Sequence, residues 1–326
     1  MPVLDRTISY LPRRSARRPE RSRRRSTPCE RVGANALVRS HGRGLVHDES
    51  TARTCNGGGR VQELTLAEVK ALDAGYWWGT GQRYSRGGEQ RPAVPWATYP
   101  YRGLGLAIPT LSEVLTAFPN VTKLVELKTE EGADPAVPEA VVAGACAAIR
   151  AANGSATGVA PASERVVVAS FDSSALERFR QACPEVATAH GLTEVVQLFL
   201  ASLFGAQAVV SPPGANLAVP HYFSLGGMRI EVPTSGFVGA ARTRGLDVQT
   251  YDVEDPVTMV DLYARGVQAM LTDRVDLALA VRLTEWPRTC GLDPPVPVPR
   301  AVPAYRACAS LGRCSAGSRA RPPTSA

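Results

Sequence analysis

Leu45–Trp78, LVHDESTARTCNGGGRVQELTLAEVKALDAGYWW, decides how the other residues of this 326-residue chain are read. A short apolar run leads into His47-Asp48, and a polar turn follows at Asn56-Gly57-Gly58-Gly59. A helix is then expected from about Thr65, with Leu66, Val69 and Leu72 on one face. A histidine at the end of a strand, followed by polar loop, puts a titrating group at the mouth of a barrel. The plainer alternative is a histidine that only ends a strand.

Working outward, the segment 109–283 alternates strand and helix. Helices are expected over Ser112–Phe118, Ala136–Arg150, Ser173–Ala182 on an Asp172 cap, Thr193–Leu203, Phe237–Arg244, Pro256–Arg265 and Val275–Leu283. Strands are expected at the run into His47 and over Lys123–Lys128, Arg165–Phe171, Val186–His190, Ala208–Ser211, Val248–Val253 and Ala269–Asp273. Such alternation implies right-handed crossovers and a parallel sheet. The predicted fold is a TIM (β/α)8-type barrel, incomplete at its first strands, with a small insertion at about 50–107 after the His47 strand. A doubly wound open sheet is the alternative, but no Gly-rich phosphate loop follows an early strand.

The net charge of +7 divides unevenly. Residues 1–44 carry +9 and residues 288–326 carry +5, leaving −7 on 45–287. An acidic body has no basic face for a phosphate backbone, so nucleic acid is not an expected partner. Residues 1–32 read as an Arg-rich tail and 287–326 as a Pro/Arg-rich tail, flanking a barrel domain over 33–286. The seven Cys form no CxxC pair, and an odd count closes no disulfide framework. No apolar run is long enough for a transmembrane span and no signal peptide is legible, so a cytoplasmic location is expected.

In a barrel of this kind, chemistry sits at the C-terminal ends of strands. His47, Glu126, Lys128, Ser170, Tyr251 and Asp273 all fall there. Glu126 and Lys128 are two apart on one strand and share a face. They are either a buried ion pair or a site in which a cation meets phosphate and a carboxylate meets a hard metal.

The opening stretch resembles the glycerophosphodiester phosphodiesterase family. There a strand ending in His-Asp-Glu precedes an insertion of the type RTTxGxGxVxxLTxxExxxLDAGxWF. Arg53-Thr54, Asn56-Gly57, Gly59, Val61, Leu64-Thr65, Glu68, Leu72-Asp73-Ala74-Gly75 and Trp77 match it. Pro109–Leu115 and Leu271-Thr272-Asp273 are similar to two further phrases of the family. Val248–Pro256, VQTYDVEDP, is similar to VxVWTVNxP, with Tyr251 for Trp, Asp252 for Thr and Glu254 for Asn. The resemblance implies hydrolysis of a small-molecule glycerophosphodiester to glycerol 3-phosphate and an alcohol. It implies His47 as a general acid/base, Glu126 as a ligand to a divalent metal (Mg²⁺ or Ca²⁺), Lys128 and Tyr251 as substrate contacts, and Asp273 as a cap. Two family features have no counterpart in 1–44: the His-Arg-Gly strand and the Glu-x-Asp strand, whose place is taken by Val38-Arg39-Ser40. His41 is too close to His47 to replace the first. Metal binding is therefore expected to be weak or absent, and the alternative function is a non-catalytic phosphate-binding barrel.

Overall fold

The computed structural model describes residues 8–9, 35–40, 44–77, 99–129, 136–154, 158–205, 214, 216–272, 274 and 277–281. Its strands are β1 (Ile8–Ser9), β2 (Asn35–Ser40), β3 (Thr122–Leu127), β4 (Val166–Ala169) and β5 (Ala187–Thr188). They continue as β6 (Asn216–Pro220), β7 (Tyr222–Leu225), β8 (Met228–Glu231), β9 (Asp247–Tyr251) and β10 (Ala269–Met270). The helices are α1 (Leu66–Ala71), α2 (Leu111–Ala117), α3 (Ala136–Ala151), α4 (Ser173–Ala182), α5 (Leu192–Leu203), α6 (Ser235–Thr243) and α7 (Pro256–Ala264).

β2, β3, β4 and β5 pair in parallel in that order, and β6, β9 and β10 form a second parallel run. A parallel bridge between Ala189 and Asn216 joins the two, reinforced by His190 N donating to Asn216 O at 3.0 Å. The result is one arc of seven parallel strands with helices outside, the architecture of a TIM barrel. At its open side β1 pairs antiparallel with β2, and its Cα atoms come within 8 Å of β10. No hydrogen-bonded strand pairing among the described residues links β1 to β10, so the ring is not closed there.

Alternation along each strand sorts the core. Val125, Leu127, Val166 and Val168 point outward into a cluster with α2, α3 and α4. Leu217, Val219, Val248 and Met270 do the same toward α5, α6 and α7. Leu124 and Leu271 meet inside the arc with Val167, Ala169 and Tyr251, so the two runs of strands share an interior. The insertion has its own small core of Val46, Cys55, Val61, Val69 and Ile108. Leu45 N donates to Pro109 O at 2.9 Å, tying the insertion's two ends together.

The expected strand into His47 is absent. Leu45 makes an isolated bridge and His47–Glu49 follow bends, because the edge of β3 on that side is taken along its full length by β2. A run of three residues has no ladder left to join. Val69 is buried and Leu72 half-buried as expected, but Leu66 is exposed. α1 and α2 each begin with a reciprocal capping box, Thr65 with Glu68 and Thr110 with Glu113. The region between 212 and 236, unassigned from the sequence, holds β6 and the hairpin β7–β8. The predicted strand Ala208–Ser211, most of the N-terminal tail, all of the C-terminal tail, His41 and Asp273 lie outside the described residues. Within the N-terminal tail, only Ile8–Ser9 is described. No described helix is long and apolar enough to cross a membrane.

Candidate active site

A cleft of about 470 Å³ opens at the C-terminal ends of β3 and β4. Its walls are His47, Asp48 and Glu49 from the bend after Val46, Glu126–Thr129 from the end of β3, and Ser170–Asp172 from the end of β4. Four residues expected at the site, His47, Glu126, Lys128 and Ser170, therefore share one cavity. Tyr251 is not in its wall. It lies in the interior core, its ring edge-on to Phe171 at 6.2 Å, and Phe171 does line the cleft.

The bend is tied together by charge. His47 Nδ1 lies 2.6 Å from Asp48 Oδ1, and Arg53 donates to both Asp48 oxygens, the Nη2 bond being 3.2 Å. Burial alone would push the Asp48 carboxyl up. The hydrogen bonds from His47 and Arg53, with their charges, outweigh that and hold it well below the usual carboxylate range. Accepting from the Nδ1 side, the ionised Asp48 orients the His47 ring and leaves Nε2 as the nitrogen for proton transfer.

β3 supplies the charged pair. Glu126 is buried, and Lys128 Nζ stands 3.5 Å from its Oε1 and 6.0 Å from the centre of the Phe171 ring. The ends of β3 and β4 are locked together by hydroxyls. Ser170 Oγ donates to Leu127 O at 2.8 Å and accepts from Asp172 N at 3.1 Å. Thr129 Oγ1 donates to Asp172 Oδ2 at 3.0 Å, while Asp172 Oδ1 caps α4 by accepting from Ser174 N at 2.8 Å. Burial raises the Asp172 carboxyl, but the bonds from Ser174 and Thr129 outweigh it and bring it below its ordinary value.

Arg53, Thr129 and Phe171 were not singled out from the sequence. Arg53 stood in a matched phrase without a role, and the other two are legible only as residues following strand ends.

A hard divalent cation takes six or more oxygens, several from protein carboxylates. Here Asp48 is engaged by His47 and Arg53, Asp172 by Ser174 and Thr129, and Glu126 lies against Lys128, while Glu49 is exposed. At the register position facing Glu126, β2 places Arg39 rather than an acid. The described residues of the cleft do not fit a tightly held divalent ion. Among the described residues, the one group of three His, Cys, Asp or Glu ligand atoms within 4.8 Å of one another is Cys146, Cys183 and Glu185. Its two sulfurs are joined as a disulfide, so it does not offer thiolates to a metal.

Comparisons with known proteins bear on the fold and the family. A glycerophosphodiester phosphodiesterase of Bacillus subtilis is 29% identical over 234 residues, spanning 72% of this chain and 69% of that protein. The glycerophosphoryl diester phosphodiesterase domain of a Mycobacterium tuberculosis protein superposes with a TM-score of 0.55 at 20% identity, over 76% of this chain and 86% of that one. A glycerophosphodiester phosphodiesterase structure from Agrobacterium tumefaciens gives 0.50 at 19% identity, with the same coverage of both chains. At those identities the two structures speak for the fold alone. The model of the Glycerophosphoryl diester phosphodiesterase family matches residues 45–277, most of the chain and all of the cleft's walls, and the protein belongs to that family of phosphoric diester hydrolases.

Proposed function

We propose that the cleft hydrolyses glycerophosphodiesters to glycerol 3-phosphate and an alcohol. The observation that carries the reading is the meeting of His47 with Glu126 and Lys128, about eighty residues apart in sequence, in one cavity of a barrel of this family. Lys128 takes part of the phosphoryl charge. Glu126 sets the position of Lys128 and is the buried carboxylate that a divalent ion would use. His47 Nε2, oriented by Asp48, moves a proton to the leaving alkoxide or from the attacking water. Tyr251 acts from behind, setting the Phe171 ring against which Lys128 lies.

Members of the family are typically metal-dependent. A bound ion would polarise the phosphoryl oxygens. With the donor set above, Mg²⁺ or Ca²⁺ is held loosely, and turnover is correspondingly slow.

The test is glycerol 3-phosphate release from glycerophosphocholine by the full chain, with and without added Mg²⁺ or Ca²⁺. Release that His47→Ala abolishes supports the reading; release unaffected by that change refutes it. A second reading, a phosphate-binding barrel without catalysis, is favoured by Arg39 standing opposite Glu126. It requires glycerol 3-phosphate to bind, by calorimetry, in a Lys128-dependent manner while no substrate turns over.

A further inference from the structure

The hairpin β7–β8 leaves the barrel at the same end as the cleft. It begins after Pro220, the last residue of β6, which stands in register with Tyr251. Tyr251 meets Phe171, so the hairpin's base, Tyr251, Phe171 and the cleft form a continuous run. Among the described residues, β7 and β8 pair only with each other, as a two-stranded ribbon. The base is held by charge: Glu231 bonds Arg265 at 2.8 Å and His221 at 3.3 Å. The tip turns on Gly226 and Gly227, both at positive φ, as a tight hairpin turn requires.

Register sorts the ribbon into two unlike faces. Phe223 pairs with Ile230 on the face that also carries Met228, whereas Tyr222 and Ser224 pair with Glu231 and Arg229 on the other. Phe223 is 44% exposed and Met228 66%. Phe171, at the cleft, is 54% exposed. A lone two-stranded ribbon gains little stability in water, and one with an open apolar face gains least. The charge distribution says what covers that face. The tip, Ser224–Met228, carries no charge, and one step behind it the Arg229 guanidinium lies 4.0 Å over the Tyr222 ring. Apolar side chains foremost, with an amphipathic ring and a cation behind them, match the layering of a phospholipid surface from acyl chains to phosphates.

We propose that the β7–β8 hairpin seats the cleft on a phospholipid bilayer, Phe223 and Met228 entering the acyl boundary and Arg229 meeting lipid phosphate. The neighbouring loop after β9 carries exposed Asp252 and half-buried Glu254, so the surface it fits is zwitterionic rather than strongly anionic. The proposal extends the phosphodiesterase reading by giving the cleft a lipid-facing orientation. It rests on that reading only for the cleft's role.

The experiment is sedimentation of the full chain with phosphatidylcholine vesicles, to which the Arg-rich ends have no net Coulomb attraction. The wild type is expected to partition to vesicles. Phe223→Ser with Met228→Ser is expected to weaken partition about ten-fold or more, with glycerophosphocholine turnover in vesicle-free buffer unchanged. Met228→Asp, at an exposed tip where folding is not at stake, is expected to do the same. Absent wild-type partition, or equal partition of the variants, overturns the proposal. Turnover that is nil in every variant while partition still differs removes the phosphodiesterase reading and leaves the hairpin's role standing.

Discussion

Lys123 and Glu126 lie three residues apart on β3, so they face opposite sides of the sheet. Lys123 is fully buried on the helix side, its ammonium donating to the carbonyl of Phe118 at the end of α2. Burial, aided by the nearby charge of Arg165, pushes its pKa from 10.5 down to about 8. The unfolded chain therefore binds more protons than the folded one between those values. Stability accordingly rises with pH across that window and is flat on either side of it. Lys123→Met should stabilise the protein by roughly 1–3 kcal/mol at neutral pH. Urea unfolding near pH 7 and again above the window checks this, and a gap between the two proteins that does not shrink at high pH counts against it. Glu126 faces the interior. Glu126→Gln should change the unfolding temperature by no more than a few degrees while abolishing whatever divalent-ion binding the cleft has. A loss of ~3 kcal/mol or more would show instead that Glu126 and Lys128 are a structural ion pair. Period-two alternation made the Glu126–Lys128 pair legible in the sequence. It could place Lys123 only on the far side, because how deeply the helices bury that side is decided by α2 and α3.

Helices with strong end signals were legible almost to the residue. α4 runs over Ser173–Ala182 on its Asp172 cap, as read. α7 opens on Pro256 after Asp255, and the chain leaves it through Gly266 at positive φ. The strand at His47 failed because strand formation needs a partner, and competition for the edge of β3 is not written locally. The hairpin was missed because its short ribbons have no periodic run longer than four residues. The disulfide between Cys146 and Cys183 was missed because only the packing of α3 on α4 brings these two residues together across 37 positions. An odd cysteine count had argued against any closed set, yet an odd count does not forbid one pair. Closing a loop of that size is worth roughly 4 kcal/mol in the unfolded chain. Reduction should lower the unfolding free energy by about that amount, and Cys146→Ser with Cys183→Ser should match the reduced protein. Denaturant unfolding with and without a phosphine reductant measures both. A reductant effect that persists in the double variant would assign the stabilisation elsewhere.

At the scale of the molecule, seven parallel strands are in place among the described residues, and the incomplete part of the barrel coincides with the incomplete part of the site. The gap beside β2 is occupied by two residues of β1, running antiparallel, where the family resemblance calls for a parallel strand bearing His-Arg-Gly. β2 itself is parallel and in register with β3, but it sets Arg39 opposite Glu126 where the resemblance calls for an acid. Phosphodiester hydrolysis needs a proton delivered at the leaving oxygen and one removed at the attacking water. Among the described residues of the cleft, His47 is the histidine available for both. General acid–base assistance is worth roughly 10²–10⁴ per group, and loss of metal ligands multiplies that deficit. The chain should therefore hydrolyse glycerophosphocholine at least ~10³-fold more slowly than a family member carrying both motifs. Replacing residues 1–43 by a His-Arg-Gly strand and a Glu-x-Asp strand should restore turnover and make it sensitive to chelator. Because Asp48 and Arg53 already hold His47 in place, that recovered activity should fall again on His47→Ala. Steady-state assays of the three proteins with Mg²⁺ or Ca²⁺ decide the matter. Near-normal turnover by the unaltered chain would mean that its own first 43 residues supply the proton carrier and the metal ligands.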